Sequence, residues 1–539
     1  MKRRDVIKGL SLLPLAGTAA IPLQAAEKTT GVTAAAGPLA EKNAFRAIGV
    51  EPLINCRGTF TIIGGSIERP YVRAAMEAAS TSFVQYDELA DAIGKRLAEL
   101  TQSEWGMVSA GCAAGLKHVT AACVTGGNPE KLIRIPDLSG FEKTEVVVPY
   151  NSRNAYDHAI RNIGVKLITV QTMEELENAL SSRTAMIYLM SWQPKEFTIE
   201  AVARVAKPKN IPILVDAAAE DLTVPNVHLQ KGADIVAYSG GKALCGPQCA
   251  GLLLGRKDIL MSAWQASSPH HGPGRDNKVG REEMMGMLAA VEGWLSLDHA
   301  DKWKKWLAYL DTISKTVTKI DGVKTKVEEP TDLSNHSPVL VISWDSEKLN
   351  VTGEQLAEEL GRSKPRIAVG SGGVRGFDKG ETSLNITTGQ MQPGEDKVVA
   401  QRLQEVLTRK REPRATQLQA AAANVAGRWD VKIKYFSSKS VHTLNIEQDG
   451  NWLQGSHKGD FEVRDMTGTI EGNTVKIRSN DRLPGDSITY IFSGKVTGDS
   501  MSGDIHMGEY RTATFTATKY GYKKNRAPIM VPGGPPLAT

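Results

Sequence analysis

Between residues 45 and 410, short apolar runs rich in β-branched residues alternate with amphipathic helical stretches, and this alternation narrows the possible folds more than any other feature of the chain. Glu145-Val146-Val147-Val148, Lys166-Leu167-Ile168-Thr169-Val170, Ala185-Met186-Ile187-Tyr188-Leu189 and Ile211-Pro212-Ile213-Leu214-Val215 read as strands. They are apolar without the period-two alternation of a half-exposed sheet, so each needs cover on both faces. Met173–Leu180 and Thr198–Ala206 read as the helices between them. Such an order predicts an α/β fold with a mostly parallel sheet.

The rest of the chain divides around this core. Residues 45–320 form the expected large domain, closing on one long amphipathic stretch, Arg281–Ile320, read as a connecting helix. Residues 321–410 read as a small α/β domain, with strands at Ser337–Ser343 and Ser383–Thr387 and helices at Gly353–Leu360 and Gly394–Leu407. Residues 411–426 are a linker. Residues 427–522 change to short alternating segments at Trp429–Phe436, Val441–Glu447, Phe461–Val463, Thr474–Arg478, Ser487–Phe492 and Thr512–Thr518. Turn signals such as Asp449-Gly450 and Pro484-Gly485-Asp486 separate them, which predicts an antiparallel β-meander closing into a small barrel or sandwich. Trp429, Trp452 and Phe461 are expected in its core, and His442, His457 and His506 lie on separate segments. Residues 523–539 are a proline-rich tail.

Residues 1–26 read as an export signal: a basic start, a modest apolar stretch broken by Pro14, Gly17 and Pro22, and small residues Ala25-Ala26. Arg3-Arg4 followed by Asp-Val-Ile-Lys resembles a twin-arginine signal, which places the protein in the periplasm, exported already folded. No stable membrane span is expected once the signal is removed. Residues 27–44 are a Thr-, Ala- and Gly-rich segment. Lys2, Arg3, Arg4 and Lys8 against Asp5 account for +3 of the formal +5, and a nearly neutral body gives no electrostatic case for nucleic acid. Cys56, Cys112, Cys123, Cys245 and Cys249 are odd in number and scattered, so no disulfide framework and no zinc site is expected. His270-His271 has no third ligand in sight, and no metal is expected.

Three motifs share one chemistry. Ile213-Leu214-Val215-Asp216 is a buried strand ending in an acid, at the edge where open parallel sheets bind ligands. A buried acid is costly without a cationic partner, and the protonated ring nitrogen of pyridoxal phosphate is such a partner. Ala237-Tyr238-Ser239-Gly240-Gly241-Lys242 runs from a strand through a glycine turn to a lysine suited to Schiff-base formation. Ala243 after that lysine excludes a Walker A loop. Ser109-Ala110-Gly111-Cys112-Ala113-Ala114-Gly115 opens an apolar helix whose exposed N–H groups make a phosphate site. Loop, acid and lysine in this order on an α/β frame point to pyridoxal phosphate.

Residues 45–410 resemble the fold type I, aminotransferase-like pyridoxal-phosphate enzymes. Within that fold type they resemble the group containing selenocysteine synthase (seryl-tRNA selenium transferase) and D-glucosaminate-6-phosphate ammonia-lyase. The matching stretches are Ile54–Thr59, Val108–Gly115, Val215–Ala218 and Ser239–Gln248, with Ser-Gly-x-Lys before Gly-Pro-Gln the most specific. The resemblance implies a Schiff-base lysine at Lys242, a pyridinium partner at Asp216 and phosphate contacts from Gly111, Cys112 and Ala113, with Ser239 either adding a hydroxyl or only forming the turn. It implies a residue stacked on the cofactor ring within Asn151–His158, with Ser152, Arg153 and Tyr156 all open. Arg57, Arg153, Arg275, Lys278 and Arg366 are the candidate substrate contacts. Arg275 and Lys278 lie in a region that reaches the neighbouring active site in related dimers, so a homodimer is expected. The activity implied is α,β-elimination of ammonia-lyase type on a small amino acid or amino sugar acid. Transfer and racemisation are alternatives, as is a binding protein that has lost catalysis.

Overall fold

The computed structural model describes residues 44–539 apart from 375–377, 414, 416, 484, 523–527, 529, 531–532 and 535–539, and only the backbone of 481–483. The expected export signal, nearly all of the 27–44 segment and most of the 523–539 tail therefore lie outside the described residues. Residues up to Pro52 are a unit of their own, in which the helix Ala44–Ala47 is the element described. The second unit begins at Leu53 and holds every sheet of the protein's described residues.

The large sheet has seven strands in the order Trp105–Ser109, Gly251–Gly255, Ile235–Ser239, Ile213–Asp216, Thr184–Met190, Glu145–Pro149, Lys166–Val170. All neighbours are parallel except Gly251–Gly255, which is antiparallel to both its neighbours. Val146, Val147, Val148, Ile187, Tyr188, Leu189, Ile213 and Val215 are completely buried, as unbroken apolar strands covered on two faces require. The crossover helices begin where threonines cap them: Thr172 accepts from the Glu175 N–H ahead of Met173–Ala179, and Thr198 from the Ala201 N–H ahead of Ile199–Ala206.

The antiparallel strand sets up the site. It enters the sheet at the edge where the parallel strands leave, so Gly251 pairs with Ser109 on one side and with Ser239 on the other. Asp216 pairs with Ala237 on the next strand. The acid, the phosphate-type loop and the turn leading to Lys242 thus emerge side by side along one edge.

The stretch Arg281–Ile320 is two helices, Arg281–Leu295 and His299–Val317, not one. Asp298 breaks it by capping the second helix, its side chain accepting from the Asp301 N–H. The small domain is a five-stranded sheet in the order Leu53–Cys56, Arg366–Gly373, Glu381–Thr387, Val339–Asp345, Lys324–Glu328. Its first strand comes from before the large sheet and pairs parallel with Arg366–Gly373. Helices Gly353–Arg362 and Glu395–Thr408 cover it over a core that includes Leu340, Ile342, Leu356, Leu360, Val399 and Leu403.

Residues 427–519 form a closed antiparallel barrel of eight strands, each paired with the next and the last with the first. Two strands, Trp452–Lys458 and Ser500–His506, carry no β-branched run; small residues such as Gly455, Ser456, Ser502 and Gly503 hid them in the sequence, and the strand expected at Phe461–Val463 instead runs Val463–Glu471. The interior is filled by Trp429, Val431, Leu444, Ile477, Phe492 and Phe515. Trp452 and Phe461 are exposed, contrary to the expectation of core positions. His442 and His457 meet inside, with His442 Nδ1 2.8 Å from His457 Nε2, whereas His506 does not join them.

Candidate active site

Asp216 is 3% exposed at the end of its strand. Its carboxylate accepts from the Tyr188 hydroxyl at 2.9 Å and the Ala218 N–H at 3.1 Å, and the Cys112 thiol lies 3.7 Å away. Among the described residues no lysine or arginine forms an ion pair with it. Burial pushes this carboxyl above its ordinary range, while the hydrogen bonds and the nearby Lys242 charge pull it back. The same neighbourhood drives the Tyr188 hydroxyl and the Cys112 thiol well up, through burial first and the Asp216 charge second. Both side-chain donors are thereby kept protonated.

The helix Cys112–Thr125 starts beside the acid. Gly111 stands at its N-terminus with φ +88°, no side chain caps it, and a Cβ there would meet open space. Gly251 beneath is the reason the loop can sit so low: a Cβ at Gly251 would lie 2.5 Å from the Gly111 carbonyl carbon. Two glycines therefore leave a cradle with the N–H groups of Cys112 and Ala113 at the positive end of a helix, whereas the Gly111 N–H, expected to join them, is spent on the Ser109 carbonyl at 2.9 Å. A buried acid without a cation and an uncapped helix end, on one sheet edge, fit the ring nitrogen and the phosphate of pyridoxal phosphate.

Lys242 follows Ser239, Gly240 and Gly241 in a turn after the strand Ile235–Ser239, and its Nζ lies 6.0 Å from the centre of the Tyr156 ring. The Asn151–His158 segment separates its three open candidates. Ser152 is fully buried and its hydroxyl accepts from the Met190 N–H and the Gln193 amide. Arg153 is paired with the buried Asp157 and donates to Thr169. Tyr156 is 57% exposed and faces Lys242. Asn154 holds this loop to the site, its side-chain amide donating to the Tyr188 hydroxyl at 3.1 Å.

The proposed substrate residues scatter. Arg57 lines a cleft of about 280 Å³ between the large and small domains, its guanidinium 4.5 Å from the Phe60 ring centre. Arg153 is committed to Asp157. Arg366 sits on the small-domain sheet, donates from Nε to the Gly361 carbonyl at 2.7 Å and does not line the cleft. Arg275 and Lys278 are exposed on a loop tied down by Lys117, which reaches Asp276 at 2.8 Å. Neither lines the cleft.

The cleft contains nitrogen-bearing side chains that no sequence motif singled out. Arg69, Lys302 and His336 join Arg57 there, near Ala243 and the Ala219 and Asp221 that follow the acid. Lys302 packs its ammonium over Trp294 at 4.4 Å and Trp306 at 4.8 Å, and burial lowers its pKa despite Asp221. His336 contacts Asp221 at 2.8 Å. These residues come from an N-terminal loop, the second long helix and the small domain, so no local pattern announces them.

A profile of the class-V aminotransferase family matches residues 146–278. D-glucosaminate-6-phosphate ammonia lyase from Salmonella typhimurium (strain 14028s / SGSC 2262) is 30% identical over 300 residues, 53% of this chain and 78% of that protein. A 5'-C-glycyluridine monooxygenase-decarboxylase from a Streptomyces species is 26% identical over 378 residues, 67% of this chain and 92% of that protein. The solved structure of a D-glucosaminate-6-phosphate ammonia-lyase superposes with a TM-score of 0.60 at 25% identity, covering 68% of this chain and 98% of the other. The family match ends well before the barrel. The chain belongs to the class-V aminotransferase family of fold type I pyridoxal-phosphate enzymes, in the branch represented by D-glucosaminate-6-phosphate ammonia lyase.

Proposed function

We propose that this enzyme removes ammonia from a small amino acid or amino sugar acid carrying an anionic group, by α,β-elimination. The observation that carries the reading is the row of Asp216, the uncapped 112–125 helix and Lys242 beside a cleft lined by Arg57, Arg69 and Lys302. Bound pyridoxal phosphate supplies an aldehyde that condenses with amines and a ring that accepts electron density from the substrate's α-carbon.

The chain's own groups do the rest. Asp216 places a negative charge where the ring nitrogen must stay protonated. Cys112 and Ala113 would hold the phosphate through backbone N–H groups, Gly111 leaving room for it, and Ser239 stands at the strand end beside them. Tyr156 covers the face of the pocket toward Lys242. Lys242 would hold the cofactor's aldehyde carbon through its side-chain amine and would serve as the base for the substrate's α-proton. Arg57 and Arg69 orient the anionic end of the substrate through charge-assisted hydrogen bonds.

Arg3-Arg4 and the apolar stretch after them support export to the periplasm by the twin-arginine route. The exposed Arg275 and Lys278 suit a homodimer in which they serve the neighbouring site. The test is to incubate the purified cofactor-loaded chain with D- and L-amino acids and amino sugar acids, phosphorylated and not. Release of ammonia and a keto acid, abolished in Lys242→Ala, is the expected result. Carbon dioxide release under oxygen would instead place it with the decarboxylating relative, and inverted substrate without ammonia would make it a racemase.

A further inference from the structure

The barrel touches the enzyme at one place that matters for the cofactor. The hairpin between Thr474–Leu483 and Asp486–Thr497 reaches the Asn151–His158 segment. Asp486 accepts from Arg161 at 2.9 Å. Arg161 in turn reaches the fully buried Asp157 at 2.9 Å. Asp157 closes a capping box with Asn154, accepting from its backbone N–H at 3.4 Å. Asn154 donates to Tyr188, and Tyr188 donates to Asp216. A continuous chain of polar contacts therefore runs from the barrel to the acid of the cofactor site.

The fit is close as well as charged. Gly485 has φ +86°, and a Cβ there would lie 2.7 Å from Asp157 Oδ2 and 3.0 Å from the Asn154 carbonyl oxygen. A second barrel segment contributes Glu509 and Tyr510 to the same cleft, which His158 and Arg161 line from the other side. Asp157 is already paired with Arg153. The further carboxylate, Asp486, is what fixes Arg161 and hence the far side of the Asn154 turn.

We propose that Asp486 of the barrel is a positioning residue for the cofactor site, acting through Arg161 and Asp157 on Asn154 and so on the Tyr188–Asp216 pair and on Tyr156. The barrel is then a built-in support for the active-site loop and not an independent binding module. The proposal rests on the reading of Asp216 and Lys242 as cofactor residues.

The test uses the full chain, wild type against Asp486→Ala, Asp486→Glu and Gly485→Ala, with Ser487→Ala as a control. Cofactor affinity is titrated through the visible band of the bound cofactor, its visible circular dichroism is recorded, and melting temperature is followed separately. A charge-assisted contact at a half-buried position controls roughly a five- to tenfold change in the equilibrium it supports. Asp486→Ala and Gly485→Ala should each weaken cofactor binding by that factor and alter the visible dichroism, Asp486→Glu should restore most of both, and Ser487→Ala should change neither. Unchanged affinity and dichroism in both disruptive variants, with or without a lower melting temperature, would overturn the proposal and leave the site intact. A visible band that survives in Lys242→Ala would sink the underlying site reading instead, and the proposal with it.

Discussion

Tyr188 donates its hydroxyl hydrogen to Asp216 across 2.9 Å inside a fully buried strand pair, and Asn154 in turn donates to Tyr188. The acid thus depends on a side chain from the neighbouring strand. Tyr188→Phe removes one donor without opening a cavity. A hydrogen bond to a charged group is worth about 1.5–3 kcal/mol. We expect kcat/KM to fall at least tenfold, with cofactor binding weakened in parallel; steady-state kinetics and cofactor titration check this.

Asp216 also makes the cofactor-free protein pH-sensitive. Its folded pKa lies above the ordinary 3.8, chiefly through burial. In the window between 3.8 and the raised value the folded chain binds more protons than the unfolded one, so stability falls as pH rises through it. Thermal melts of the cofactor-free protein should show this loss, Asp216→Asn should abolish it, and saturating cofactor should offset it by supplying the missing cation.

The barrel responds in the opposite direction. Burial holds His457 at about 3, from an ordinary 6.5, against His442, Ser479 and the Tyr490 ring. The unfolded chain takes up a proton below pH 6.5 that the folded barrel refuses. Stability is therefore full above 6.5 and is lost as pH falls toward 3, at up to about 1.4 kcal/mol per pH unit. Denaturant melts of the barrel signal between pH 7 and about 4 should show this slope, and His457→Gln should flatten it.

Gly251→Ala tests the cradle. The new methyl would press on the backbone between Gly111 and Cys112 and lift the helix N-terminus from the sheet. Overpacking of this kind costs about 1–3 kcal/mol. Weaker phosphate and cofactor binding with the barrel's melting unaffected is the expected outcome.

Arg69→Gln tests the cleft. Losing one charge-assisted contact to an anionic substrate should raise KM about tenfold with a smaller change in kcat. An uncharged substrate analogue should be handled equally by both proteins.

The three motifs that the structure brings to one sheet edge were readable because each is built from local chain: a strand ending in Asp216, a glycine turn ending in Lys242, and a small-residue loop opening a helix. The substrate end was not. Arg366 reads as a clamp in its own sequence neighbourhood, and the structure places it opposite Leu53 on the small-domain sheet, away from the residues that line the cleft. Arg69 and Lys302 carry no local signal and acquire meaning only when two domains close around them. The barrel strands at 452–458 and 500–506 were missed because their glycines and serines suppress the usual strand pattern.

By itself the sequence determined the α/β alternation, the β-rich addition and the three motifs of loop, acid and lysine, since each depends on neighbours a few residues away and on which side chains water rejects. Only the tertiary structure decided that Gly251 would align those motifs, that Arg57 would keep company with Arg69 and Lys302, and that Asp486 would reach Arg161. Those relations join residues far apart in the chain, where strand order and domain packing, not local preference, set which groups meet.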